Sequence, residues 1–232
     1  MKIDLIVLGR AAPEHYAGKQ SVTVIGYSHK HGFVRLYPTR LDSPLKQWAV
    51  CTVEAERILD DTRKESYRIK GDWEAQNDFI AFHSELERDE RLALVRGLAK
   101  KGIESLRKGT LAIIKPHNIT PQVIMKDKPE QKKGNDLKSK RDYDARLYIQ
   151  YNCSPECQKP HKHWVIEWGV YESLRKNPED ANALTKSLHL ENPKYEKYFL
   201  IGTKGKKQRY VIISVLRFKS EPVGQALLTG SA

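Results

Sequence analysis

The first third of the chain is a succession of short runs rich in β-branched and aromatic residues, and their spacing limits the fold more than any other feature. "IDLIVLG", "SVTVIGYS", "FVRLYPT" and "WAVCTVEAERI" follow one another at intervals of roughly ten residues, parted by Gly, His, Pro or Lys. Alternating βαβ units need a helical segment between strands, so this pattern predicts a small barrel or a sandwich. "HKHG" between the second and third runs predicts a hairpin with Gly32 at positive φ. In "FVRLYPTR", strand alternation places Phe33, Arg35 and Tyr37 on one face and Val34 and Leu36 on the other.

A helix is expected next. Ser84 and Glu87 have capping-box spacing, Leu92, Val95, Leu98 and Ala99 recur at helical intervals, and Gly102 is placed to end the run. "SLRKGTLAIIKP" then leads into another buried strand. Residues 126–145, "KDKPEQKKGNDLKSKRDYDA", are dense in charge and hold almost nothing to bury, which predicts a linker or mobile loop. The expected organisation is an N-terminal β domain over 1–125 with one amphipathic helix, this linker, a C-terminal β-rich domain over 146–220, and a tail over 221–232. The second part reads as a strand ("RLYIQYN"), helices within "IEWGVYESLRKN" and "PEDANALTKSLHL", and strands "KYFLIGT" and "RYVIISVLRF" joined by the basic "KGKKQ". The fold class is β-rich α+β with a few short helices.

An ordered series of phrases resembles the dual OB-fold-containing proteins scattered through bacterial genomes. It runs "KIDLIVLGR", "GFVRLYPT", "DDTRKESYRI", "RKGTLAIIKP", "YNCSPECQKPHKHWVIEWG" and "YFLIGT…YVIISVLRF". The resemblance spans Met1 to about Lys219 apart from the charged segment. It implies two small OB-like barrels, a type that binds oligonucleotides across a strand face. "AAPEHYAGKQ" in the first hairpin departs from the pattern.

The chain of 232 residues has a formal net charge of +12, which draws polyanions, nucleic acid first. Lys204, Lys206, Lys207, Arg209, Arg217 and Lys219 form a cluster with no acid between Gly202 and Ser220. No run approaches the roughly 18 apolar residues of a membrane span, so no membrane partner is expected. Three cysteines, two of them close to histidines, argue against a disulfide framework and for a reducing cytoplasm. Cys51, within an apolar run, reads as a small buried hydrophobe. The chain lacks G-x-x-x-x-G-K-[ST], G-x-G-x-x-G and G-x-S-x-G, so P-loop hydrolysis and acyl-enzyme chemistry are unsupported.

Two constellations remain. Cys153, Cys157, His161 and His163 fall in "YNCSPECQKPHKHW" as C-x3-C-x3-H-x-H, a set of zinc-type ligands stiffened by Pro155 and Pro160. The spacing predicts a structural zinc held by Cys153, Cys157 and His163, and by His161 second. In "DDTRKESYRI", Arg63, Tyr67 and Arg68 are candidates for a ligand face, with Arg35, Tyr37 and Arg40 on the neighbouring strand. Lys204, Lys206, Lys207 and Arg209 are candidates for phosphate contact. The expected function is binding of single-stranded or structured nucleic acid, as an accessory subunit of a processing or antiviral defence complex. Two alternatives stand beside it: a metal-dependent nuclease using Asp60, Asp61 and Glu65, and a protein-interaction module with no nucleic-acid ligand.

Overall fold

The computed structural model describes residues 1–100, 102–103, 106, 109–125, 143, 145–177, 180, 182–204 and 209–220. The first seven strands are β1 (Lys2–Arg10), β2 (Glu14–Tyr16), β3 (Lys19–Ser28), β4 (Gly32–Arg40), β5 (Ala49–Arg57), β6 (Ser66–Ile69) and β7 (Ile80–Glu85). β1 pairs with β5 through Lys2 to Ile6 and with β3 through Ile6 to Arg10, turning at an irregularity between Val7 and Gly9. One strand thereby joins both ends of the sheet. The ring β1-β3-β4-β6-β5 closes back on β1, with β4–β6 its parallel pair. This five-stranded closed barrel has the OB strand order. Closure leaves the ring no free edge to pair with another chain.

Alternation explains its filling. Ile3, Leu5, Val7, Val22, Val24, Val34, Leu36, Cys51, Val53 and Ala55 point into one buried cluster. The hairpin at Gly32 forms as expected, with Ser28 opposite Gly32 and φ +73° at the glycine. The helix, α1 (Arg88–Leu98), starts three residues later than its predicted cap. Glu87 and Glu90 form the capping box, while Ser84 belongs to β7 and pairs with Val50. α1 ends at Leu98, ahead of Gly102, because Ala99 turns extended to pair beside Ile113.

The second sheet comprises β8 (Ala99–Lys100), β9 (Leu111–Ile114), β10 (His117–Met125), β11 (Ala145–Asn152), β12 (His161–Val165), β13 (Tyr195–Lys204) and β14 (Arg209–Lys219). α2 (Trp168–Lys176) and α3 (Ala183–Lys186) lie between β12 and β13 in the chain. The sheet order is β10-β11-β12-β14-β13-β9-β8, with β12–β14 parallel. β9 and β10 sit toward opposite ends of that path yet are separated in the chain only by Lys115 and Pro116. Together they take the place that β1 holds in the first ring, so the strand order repeats. Residues 99–125, expected in the N-terminal half, therefore hydrogen-bond in the second sheet. The change from one sheet to the other falls at the end of α1, not at 126–145, because strand pairing rather than surface charge decides it. The mobile-linker expectation for 126–145 falls mostly on residues outside the description, as does the tail.

The two sheets share a wall. Leu8, Ala11 and Ile25 of the first pack with Leu111, Ile113, Ile166, Tyr198, Leu200, Val211, Ile213 and Leu216 of the second. Phe199, Ile201, Ile212 and Val215 point the other way, into the second sheet's own core. β13 and β14 are thus covered on both faces, which accounts for their unbroken apolar runs. Polar ties cross the same wall. Ala12 N–H donates to the Ile166 carbonyl at 2.6 Å, and Gln47 Nε2 donates to Ser214 Oγ at 3.2 Å. Arg96 on α1 reaches Glu196 on β13 at 2.6 Å.

Candidate ligand groove and cysteine–histidine cluster

The connection from β5 to β6 is shaped by its own side chains. Asp61 accepts from the Arg63 backbone N–H at 3.0 Å and from the Arg63 guanidinium at 2.8 and 2.6 Å. An aspartate bonding its backbone two residues on stabilises a turn. Burial alone raises the Asp61 carboxyl, but the hydrogen bonds from Arg63 overturn this and hold it well below the usual carboxylate range. Glu65 faces a different way, accepting from the Thr110 hydroxyl and lying 3.9 Å from Arg35.

This connection forms one wall of a groove of about 900 Å³. The floor is Tyr37 and Pro38 of β4, and the far side is Tyr16 of β2. The rings of Tyr16 and Tyr37 meet edge to face at 5.3 Å. Arg57, Arg63 and Arg68 face Glu56, Asp60 and Asp61 in the lining. The groove is therefore locally balanced, and the attraction for a polyanion comes from the charge of the whole chain.

Each predicted position has a definite place. Tyr37, Arg63 and Arg68 line the groove as expected. Arg35 does not face solvent: the second sheet covers it, leaving it 5% exposed, with Nη2 3.4 Å from Thr110 Oγ1. Burial, then the charge of Arg63, push its guanidinium down to about 10. Tyr67 packs into the core of the first ring and is no part of a ligand face. Strand alternation puts it opposite its neighbour Arg68. Arg40 is committed to Asp42 through two hydrogen bonds and to the Trp73 and Glu74 carbonyls. Lys204 pairs with Glu14 across the wall at 2.6 Å and lies 4.9 Å from the Trp164 ring centre. Arg209 is its cross-strand partner, and Lys206 and Lys207 lie outside the described residues. Tyr16, in the stretch that departs from the resembled pattern, was not singled out by sequence. "EHY" is too short to show a period, so only its aromatic ring beside Gly18 could have marked it.

The second constellation is held by β11 and β12. Cys153 directly follows β11, His161 opens β12, and Cys157 lies on the connection between them. His161 Nε2 is 3.2 Å from Cys153 Sγ and 3.5 Å from Cys157 Sγ. These three are the described residues whose ligand atoms gather as a metal-binding group. Burial pushes the Cys153 thiol up, whereas the Cys153 backbone amide pulls Cys157 down. His163 is not a member. Its Nδ1 is 3.0 Å from the Tyr151 hydroxyl, and its ring stacks on His161 with centres 6.0 Å apart. Burial, with His161 second, pushes His163 down to about 4. Asp60, Asp61 and Glu65 do not gather into such a group.

A sequence family described as a domain of unknown function (DUF8758) matches residues 1–96. The match covers the first ring and most of α1. Among solved structures, a chain titled "Crystal structure of Ifi202 HINa domain in complex with 20bp dsDNA" is 9% identical over 95% of this chain and 97% of that one, at a TM-score of 0.32. That likeness is slight; the barrel is established by its own strand pairings. No curated protein sequence matches the chain.

Proposed function

We propose that the protein binds single-stranded or structured nucleic acid in the groove between Tyr16 and the 58–65 connection, as an accessory component of a larger processing or defence assembly. One observation carries this. In an OB barrel, the second and third strands and the loops after the first and fourth strands form the ligand face. Here the largest groove is lined by those parts: Tyr16 between the first and second ring strands, Tyr37 on the third, and residues 58–63 after the fourth. Tyr16 is 48% exposed and offers a stacking surface, while Arg57 and Arg68 stand ready for backbone phosphates. The carboxylates of the alternative nuclease are engaged or dispersed, which favours binding over cleavage.

Fluorescence anisotropy with single- and double-stranded DNA and RNA, at two salt concentrations, tests this. Reversing Arg57 and Arg68 to Glu should weaken binding about equally for unrelated sequences and lower the salt slope by roughly two counterions. Tyr16→Ala should cost on the order of 1–3 kcal/mol for unpaired strands and less for duplexes. A parent protein that binds no nucleic acid at low salt overturns the proposal in favour of a protein-interaction module.

A structural zinc at Cys153, Cys157 and His161 belongs to the same reading. Zn–S bonds of about 2.3 Å and Zn–N bonds of about 2.0–2.1 Å require tetrahedral edges of roughly 3.5–3.8 Å. The two sulfur–nitrogen distances, 3.2 and 3.5 Å, come within a few tenths of an ångström of that frame. The metal would lock the β11–β12 connection, since ligand binding energy at such a loop is folding energy.

A further inference from the structure

Behind Tyr37 the groove continues into a cavity of about 210 Å³ between the two sheets. Tyr37, Ile58, Asp61 and Arg63 line both spaces and so form the mouth. Inside, the first ring supplies Arg35 and Ser66, and the second sheet supplies Thr203. These three are 5%, 1% and 4% exposed. Arg35 Nε, Ser66 Oγ and Thr203 Oγ1 have no hydrogen-bond partner. Buried polar groups are nearly always satisfied, and each one left alone costs about 1–3 kcal/mol. Of eight such atoms among the described residues, three converge on this one cavity.

The remaining walls say what would satisfy them. Ile58, Ile166, Val211 and Ile213 are apolar and give water few partners. Arg63 and Lys204 are already saturated by Asp61 and Glu14, and those acids repel a bare phosphate. The volume falls below the ~300–1,000 Å³ of drug-sized sites and suits a single ring system. We propose that the cavity receives one nucleobase. Arg35 Nε donates to a ring nitrogen or keto oxygen on its edge, the Ser66 and Thr203 hydroxyls complete the bonding, and the isoleucines and Val211 hold its faces. The base comes from a strand lying in the outer groove or from a free mononucleotide. The strand-borne form rests on the groove proposed above; the free form does not.

The decisive variant is Thr203→Val, which keeps the side-chain shape and removes one unpaired hydroxyl. Free protein should melt at the same temperature or higher, because an unsatisfied buried group is gone, whereas a merely structural hydroxyl would lower it. Binding is read by calorimetry with AMP, GMP, CMP and UMP in turn, ribose 5-phosphate as the control without a base, and a single-stranded oligonucleotide. The parent should bind at least one mononucleotide and not ribose 5-phosphate, and Thr203→Val should weaken that binding roughly three- to tenfold. Ser66→Ala should behave alike and serves if the first variant fails to fold. Parallel loss of oligonucleotide affinity identifies a strand-borne base; oligonucleotide affinity left intact identifies the free nucleotide. If neither variant changes either affinity, the cavity holds only water and the proposal falls, even where salt-dependent strand binding upholds the groove. Mononucleotide binding without strand binding upholds the cavity and sinks the groove.

Discussion

Replacing Gly9 with alanine tests how tightly the two sheets are joined. A Cβ built on Gly9 would lie 2.7 Å from the Cβ of Ser214 on β14 and 3.3 Å from Leu200 Cδ2. The leucine end can swing aside, but the Ser214 Cβ is fixed to a strand paired along its length with β13. Carbon atoms settle at about 3.5–4.0 Å, so β1 and β14 must part by about 1 Å. That strain falls on a buried wall, where forced overpacking costs typically about 1–3 kcal/mol. In a chain of this length 1 kcal/mol moves the midpoint by about 2–4 °C, so Tm should drop by about 3–10 °C in a calorimetric melt. Ser214→Gly removes the atom that is struck. In that background Gly9→Ala should cost at least about 1 kcal/mol less, a coupling that distant sites do not show. An unchanged Tm for Gly9→Ala, or full additivity in the cycle, would refute the close approach of the strands.

Two further outcomes follow from other groups. Hydrogen bonds from Arg96, Tyr198 and Lys115 pull Glu196 from 4.5 to about 2. Its contribution is therefore complete above the unfolded pKa near 4.5 and is lost as pH falls through about 2, so Glu196→Gln should flatten the acid side of a stability–pH curve, by on the order of 1–2 kcal/mol after discounting for solvent around Arg96 and Lys115. For the cluster, elemental analysis of protein purified without added metal should give about one zinc per chain. Cys157→Ser should abolish it and lower Tm, whereas His163→Ala should leave the zinc in place.

The strands of the first ring are plain in the sequence because one face of each is core and the other is not, so period-two alternation survives. β13 and β14 carried a second signal: "YFLI" and "YVIISVL" are too continuously apolar for strands with one wet face, which points to a covering layer on each side. What covers them is not local. Arg35 reads as a ligand-facing cation until the second sheet, distant in sequence, closes over it. Charge density marked 126–145 as a boundary, yet the sheets divide at Ala99, where hydrogen bonding decides and composition is silent. In the cluster, residue types and spacing were legible. His161 and His163 are two apart and share a strand face, so the choice between them rests on the Tyr151 hydroxyl that engages His163.

The shared wall behaves like a permanent dimer interface whose two partners are covalently tethered. A chain carrying only the stretch that corresponds to residues 1–96 would present Leu8, Ala11 and Ile25 to water, since their cover comes from β9, β13 and β14. Exposed apolar surface of that kind promotes association. A free-standing version of the first ring therefore has to bring a substitute lid, whether a second copy of itself, a separate subunit, or polar residues at those three positions. The identity of those side chains is thus a marker, readable in any relative, of whether its barrel works alone or leaning on another.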